Sequence, residues 1–330
     1  MNTSKLLLWL LCGVAACQSP QAPNENHFTW DDRLPPESSE FLGPAVISTR
    51  EYVRDFSLSP GGDEAFFTVA NRRGDLSVIM QIHKVTEGQW SLPEIASFSG
   101  RYRDLEASFH PDGKQVFFAS NRPLSPTDSS SDVNIWQVKK EGGGWGEARP
   151  FSEVINGPGD EFFPSVASSG NLYFTASPDF ANRKEDIFLS KWDGAKYLPP
   201  MPLGEGINSP GYEFNAFVAP DESWILFTAF GRKDGPGRGD IMISFRKQDD
   251  WEKASLLPEP INSPFLDYCP SVQNNTLFFT SERHGFKSAY PDGLQTEQWQ
   301  AILASPLNGT ANIYWQSWHP EKWLGSKNAN

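Results

Sequence analysis

Cysteine is scarce in this chain, with three among 330 residues at positions 12, 17 and 269. Two lie in the amino-terminal run, so Cys269 is the one thiol of the body and no internal disulfide framework is available. With no histidine or second cysteine near it in sequence, Cys269 reads as a small core residue. Histidine is also sparse: five residues at 27, 83, 110, 284 and 319, none spaced as metal ligands. Positive charge is in deficit. The 28 Lys+Arg stand against 41 Asp+Glu, a formal charge of −13 that repels phosphate backbones and argues against nucleic acid as a partner. Gly-x-Ser-x-Gly, His-Glu-x-x-His and the Walker loop are all missing, which removes the usual sequence signs of serine hydrolases, zinc proteases and nucleotide-binding enzymes.

Long apolar runs are missing too. The stretch from Leu6 through Leu11 to Cys17 falls short of the roughly 20 residues a spanning helix needs. It follows a single basic residue, Lys5, and ends in small residues, as a secretory signal does. Val14-Ala15-Ala16-Cys17 resembles the bacterial lipobox, which implies cleavage before Cys17 and lipidation of its sulfur. Gln18 and Ser19 follow with no Asp directly after the cysteine, and by the same resemblance this points to the outer membrane, on its periplasmic or surface face. A soluble secreted protein cut at the small residues is the alternative. The expected organisation is a signal over residues 1 to 16, a tether and linker over 17 to 40, one domain over 41 to 320 and a tail over 321 to 330. Contact with the membrane is expected through the lipid anchor only.

What the chain has in quantity is turn formers and aromatic residues. The 27 Gly and 27 Pro suit many short strands, and 38% hydrophobic residues with twelve Trp can build a core. A repeat recurs about every fifty residues, with turn positions at Pro60, Pro111, Ser168, Pro220 and Asn274. Each turn precedes an aromatic strand such as Ala65-Phe-Phe-Thr or Leu277-Phe-Phe-Thr, so each unit opens with a hairpin. Third strands follow at Val78-Ile-Met, Asn134-Ile-Trp, Asp186-Ile-Phe, Asp240-Ile-Met and Asn312-Ile-Tyr. Four units add a fourth segment, running to Phe98, Ile155, Ile207 and Ile261. The fifth lacks one, and residues 41 to 48 match the missing pattern. The expected fold is all-β: a propeller of five four-stranded blades closed by an amino-terminal strand, with six blades as the alternative.

The Ser-Pro-Asp-Gly-like turns, the Phe-Phe-x-Ser-x-Arg strand ends and the Asp/Asn-Ile-aromatic strands resemble the PD40 (WD40-like, TolB-like) β-propeller repeat family. The resemblance covers residues 41 to 318. It departs at Ser168-Ser-Gly and Asn274-Asn, where the Pro-Asp-Gly turn is lost, and no peptidase or peptidoglycan-binding domain follows. For a stand-alone lipoprotein of this kind it implies an envelope binding module.

The innermost strand begins at an acid in four blades: Asp104, Glu161, Glu213 and Asp267, with Val53 in the first. In this register the four carboxylates are expected to ring one channel mouth, where they could hold a cation or a basic partner segment. Second strands end near Arg72, Arg122, Arg232 and Arg283, so a structural ladder of acid–guanidinium pairs is the competing expectation. Asp160 beside Glu161, and Glu106 two residues after Asp104, break the repeat and are the best candidates for chemistry. Residues 284 to 310 form a long insertion whose segment from Leu294 has helical spacing, placing Trp299 at the expected rim. The leading functional reading is a non-enzymatic module binding an envelope protein or other envelope ligand, with no cofactor. A glycan-acting hydrolase or lyase using the acids at the mouth is the alternative.

Overall fold

The computed structural model describes residues 27–30, 34–177 and 184–324. The leader, Cys17 and most of the expected tether lie outside the described residues. Among the described residues no helix is long and apolar enough to cross a membrane.

Five antiparallel sheets form a ring, a five-bladed propeller, so the six-blade alternative falls. The innermost strands are Tyr52–Leu58, Asp104–Phe109, Asp160–Val166, Tyr212–Val218 and Asp267–Gln273. Each turns through a tight hairpin into the aromatic second strand, at Glu64–Ala70, Gln115–Ser120, Leu172–Ser177, Trp224–Phe230 and Thr276–Ser281. The hairpins close at residues of positive φ. Gly62, Gly113 and Gly170 fill this position in three blades, and Glu222 and Asn274 adopt it in the others. Loss of the Pro-Asp-Gly signature therefore changes the residue but keeps the turn. Second strands are buried along nearly their whole length, and Phe66, Phe67, Phe117, Phe118, Phe174 and Phe279 pack between neighbouring blades.

The fourth strands are short, and a side chain completes each one. Asn156, Asn208 and Asn262 follow the isoleucines that end blades two to four. Each accepts a hydrogen bond from a third-strand N–H and donates one to the same residue's carbonyl, at Ile135, Ile187 and Ile241. The side-chain amide replaces a peptide group where the strand has already turned away.

Glu40–Phe41 pairs with Asn312–Ser317 of the fifth blade, and Ser48 Oγ donates to the Ile313 carbonyl in the place of those asparagines. The amino-terminal segment thus closes the ring as its sequence implies. It also does more. His27–Thr29, expected in the tether, pairs with Gln89–Ser91 on the outer edge of blade one. Trp30 then lies against Trp90 of that blade and Trp315 of the fifth, with ring centroids 4.7 and 6.3 Å away.

Candidate functional site

Every innermost strand carries a bulge in which two residues face one on the second strand. The first bulged residue adopts positive φ in all five blades: Asp55, Glu106, Phe163, Asn215 and Cys269, with φ from 47° to 61°. None is glycine, so each position carries some backbone strain. Neighbouring blades hold three of them in place. Thr280, Thr68 and Thr175 accept hydrogen bonds from the N–H of Asp55, Glu106 and Asn215, each across a blade boundary. Blade two has Ala119 where those threonines stand and offers no hydroxyl to Phe163. There Glu106 Oε2 accepts from the Phe163 N–H at 2.8 Å.

The bulge aims these five side chains at the channel axis, where they close it midway. Arg54 donates to Asp55 Oδ1 at 2.6 Å and to Glu106 Oε1 at 2.5 Å, and reaches Cys269 Sγ at 3.3 Å. Asn215 links Glu106 and Cys269, at 3.3 Å to each. Burial opposes the Arg54 charge, but Asp55 and the other acidic groups around it, Glu106 among them, together more than restore it, and its pKa lies well above the ordinary arginine value. Burial pushes Glu106 up to about 7, against the pull of Arg54 and the Phe163 N–H. It also raises the Cys269 thiol well above its usual value, which keeps it protonated and unreactive. Asp55, Glu106 and Cys269 bring three potential metal-ligating atoms within 4.8 Å of one another. Arg54 already supplies a positive charge there, and a metal ion would have to sit against it.

The plug divides the channel into two unlike mouths. On the side of the second-to-third and fourth-to-first connections lies a cavity of about 320 Å³, walled by Tyr52, Phe162, Phe214 and Tyr268 with Arg54 and Glu106 at its base. The Tyr52 and Tyr268 hydroxyls are 2.7 Å apart, fixing both rings. The hairpin side has a smaller recess of about 190 Å³ edged by Pro60, Pro111, Ser168 and Pro220.

Glu106 is the one acid of the sequence-derived set that lines the larger cavity. The repeated acids face away from the channel, contrary to the ring expected from the register. Asp104, Glu161, Glu213 and Asp267 are all buried, because the channel face falls on the following two positions and the bulge preserves that offset. Their carboxylates turn back to the loop that leads into the strand. Glu161 accepts from Gly157 N, Glu213 from Ser209 N and Oγ, and Asp267 from Ser263 N and Oγ. Two of the four expected guanidinium pairs form, Arg122 with Asp104 at 2.7 Å and Arg283 with Asp267 at 2.8 Å. Both guanidiniums also bind loop carbonyls and lie over aromatic rings, Arg122 over Phe118 and Arg283 over Tyr314. Arg232 pairs instead with Asp234, and Arg72 reaches the Asn308 carbonyl. Asp160 accepts from the Val133 N–H outside the cavity. Glu161 is a neutral acid, its pKa pushed up to about 9 by burial and by Asp132 and Asp160. The expected helix forms at Thr296–Ala304, with Trp299 exposed on it and not among the cavity's lining residues.

Arg54 and the aromatic wall escaped the sequence reading. Their signal was irregularity. Channel-facing positions read Arg, Leu, Phe, Phe, Tyr and then Asp, Glu, Phe, Asn, Cys, whereas the acids that drew notice repeat because the blade needs them.

No protein-family model matches the chain, and no curated protein matches it. Among solved structures it is similar to TolB from Acinetobacter baumannii, with 12% identity and a TM-score of 0.43 over 81% of this chain and 55% of that one. It is similar to the GH43 endo-arabinanase from Bacillus licheniformis, with 11% identity and a TM-score of 0.49 over 81% and 94%. A Bacillus subtilis arabinanase gives 10% identity and a TM-score of 0.49 over 83% and 96%. These are likenesses of fold. The chain spans about half of TolB and about a third of a Mycobacterium tuberculosis puromycin-hydrolyzing peptidase that it also resembles.

Proposed function

We propose that the protein is a non-enzymatic binding module of the cell envelope, tethered by a lipid on Cys17, that receives its ligand at the aromatic mouth of the channel. The observation that carries this reading is the plug. Two-carboxylate hydrolysis needs an acid and a base that both reach the substrate in separate environments. Here Asp55 and Glu106 are tied to one guanidinium, and Glu106 also restrains the backbone of Phe163. What remains for a ligand is an open, rigid cup with four aromatic side chains on its wall. The tether rests on the lipobox-like sequence alone, and Cys17→Ser is expected to abolish labelling by radioactive palmitate.

Glu106 favours the second reading, glycan hydrolysis or cleavage by a lyase, since an acid with a pKa of about 7 lines the cavity. One experiment separates the two. Immobilised propeller is exposed to solubilised envelope protein and glycan fractions, and retention and turnover are both measured. Binding without turnover, weakened by Phe214→Ala and kept by Ser168→Trp at the opposite mouth, supports the module. Turnover abolished by Glu106→Gln would replace it with the enzyme.

A further inference from the structure

Beside the aromatic cavity, between blades one and two, a recess of about 170 Å³ is lined by Arg54, Arg72, Arg73 and Arg103 and by no acid. The two spaces share Tyr52, Arg54, Arg103 and Leu105, so they adjoin one another. In a chain of charge −13, four guanidiniums without a carboxylate among the lining residues call for an explanation. Of these four, only Arg54 is paired with acids among the described residues. Arg103 gives one donor to the Gly74 carbonyl, and Arg72 makes a long contact of 3.4 Å with the Asn308 carbonyl. Neither has an acidic partner among the described residues, nor does Arg73, which is exposed. Each guanidinium has five N–H donors, so most of this capacity is unspent. Like charges gathered in one recess repel one another, and a bound anion relieves that repulsion.

We infer that this recess holds the carboxylate of a small organic acid whose ring lies against the aromatic wall of the adjoining cavity. The inference deepens the binding-module reading and rests on it. Paired N–H donors of arginine fit the two oxygens of a carboxylate, and Tyr52, Phe162, Phe214 and Tyr268 offer faces for a ring. A monoanion is favoured over a phosphate dianion, because Glu106 and Glu185 line the neighbouring cavity and the net charge of the protein opposes each added negative charge. The volumes suit a compact ligand of one or two rings. The ring belongs either to an acidic sugar or to an aryl acid, two sources of the same chemistry.

The test is calorimetric titration of the purified chain with glucuronate and with 4-hydroxybenzoate, beside their neutral counterparts methyl glucoside and phenol, and with inorganic phosphate. One of the two carboxylates is expected to bind, about tenfold or more tighter than its neutral counterpart. The exposed pair change Arg72→Gln with Arg73→Gln is expected to weaken that binding about tenfold and flatten its salt dependence, with the thermal melt unchanged. Arg103→Gln provides a second variant with the same expected direction. Failure of both carboxylates, equal binding of acid and neutral probe, tighter binding of phosphate, or binding that survives Arg72→Gln/Arg73→Gln would each overturn the inference. Retention of an envelope fraction at the mouth would then leave the module reading standing, whereas its loss together with the probes would remove both.

Discussion

Glu106 shows how one residue can carry an architectural duty that a catalytic reading would miss. Its carboxylate replaces the hydroxyl that Ala119 does not supply, so the cost of its removal should depend on that neighbour. In a double-mutant cycle, Glu106→Ala should destabilise by about 1 kcal/mol less when Ala119→Thr is already present, measured by chemical unfolding. Additive changes would detach Glu106 from the Phe163 bulge. Glu161 gives a second residue-scale prediction. Its folded pKa of about 9 lies above the unfolded value near 4.5, so between these values the native state binds more protons than the unfolded state. Its contribution to stability is therefore complete at low pH and is lost as pH rises through that window. Glu161→Gln mimics the neutral acid and should be more stable than wild type by on the order of 1–3 kcal/mol near pH 7, the advantage growing towards pH 9. The repeated acids were legible as a pattern because four of the five blades use one to hold the loop that leads into the innermost strand. Their direction was not, because alternation along a strand and a one-residue bulge decide which neighbour meets the channel.

At the scale of the strand and the loop, the fourth segments were visible in sequence as far as their closing isoleucines. The asparagine after each isoleucine was not, since its partner is a backbone amide about twenty residues away that leaves no trace in composition. Asn262 makes three such bonds, to Ile241 N, Ile241 O and Leu257 O, at 2.7 to 2.9 Å. Asn262→Ala should cost about 2–4 kcal/mol in chemical unfolding, because it strands buried peptide groups as well as losing the bonds. An effect below about 0.5 kcal/mol would mean that the strand end finds other partners. The insertion from 284 to 310 was legible as a helix through its spacing. Its exposure was not: Thr296–Ala304 buries no residue, and the insertion is tied down by Asn308, which donates to the Arg50 carbonyl.

For the whole molecule, the five-fold repeat announced the ring, and the missing last strand announced its closure. The second fastening was hidden, because His27–Thr29 is too short to show alternation and Trp30 has no counterpart in the repeat. Trp30→Ala should lower stability by about 2–4 kcal/mol through the seam it fills between the first and last blades. The charged residues divide into those that build the ring and those that meet a ligand. Thermal unfolding of two variants tests this division most directly. Asp104→Asn with Asp267→Asn breaks two buried ion pairs, each worth about 3–5 kcal/mol when one partner is removed, and should lower the melting temperature by roughly 10 °C or more. Arg72→Gln with Arg73→Gln, at the mouth, should leave it unchanged. A melting temperature untouched by neutralising the two aspartates, or lowered by the two exposed arginines, would contradict the division.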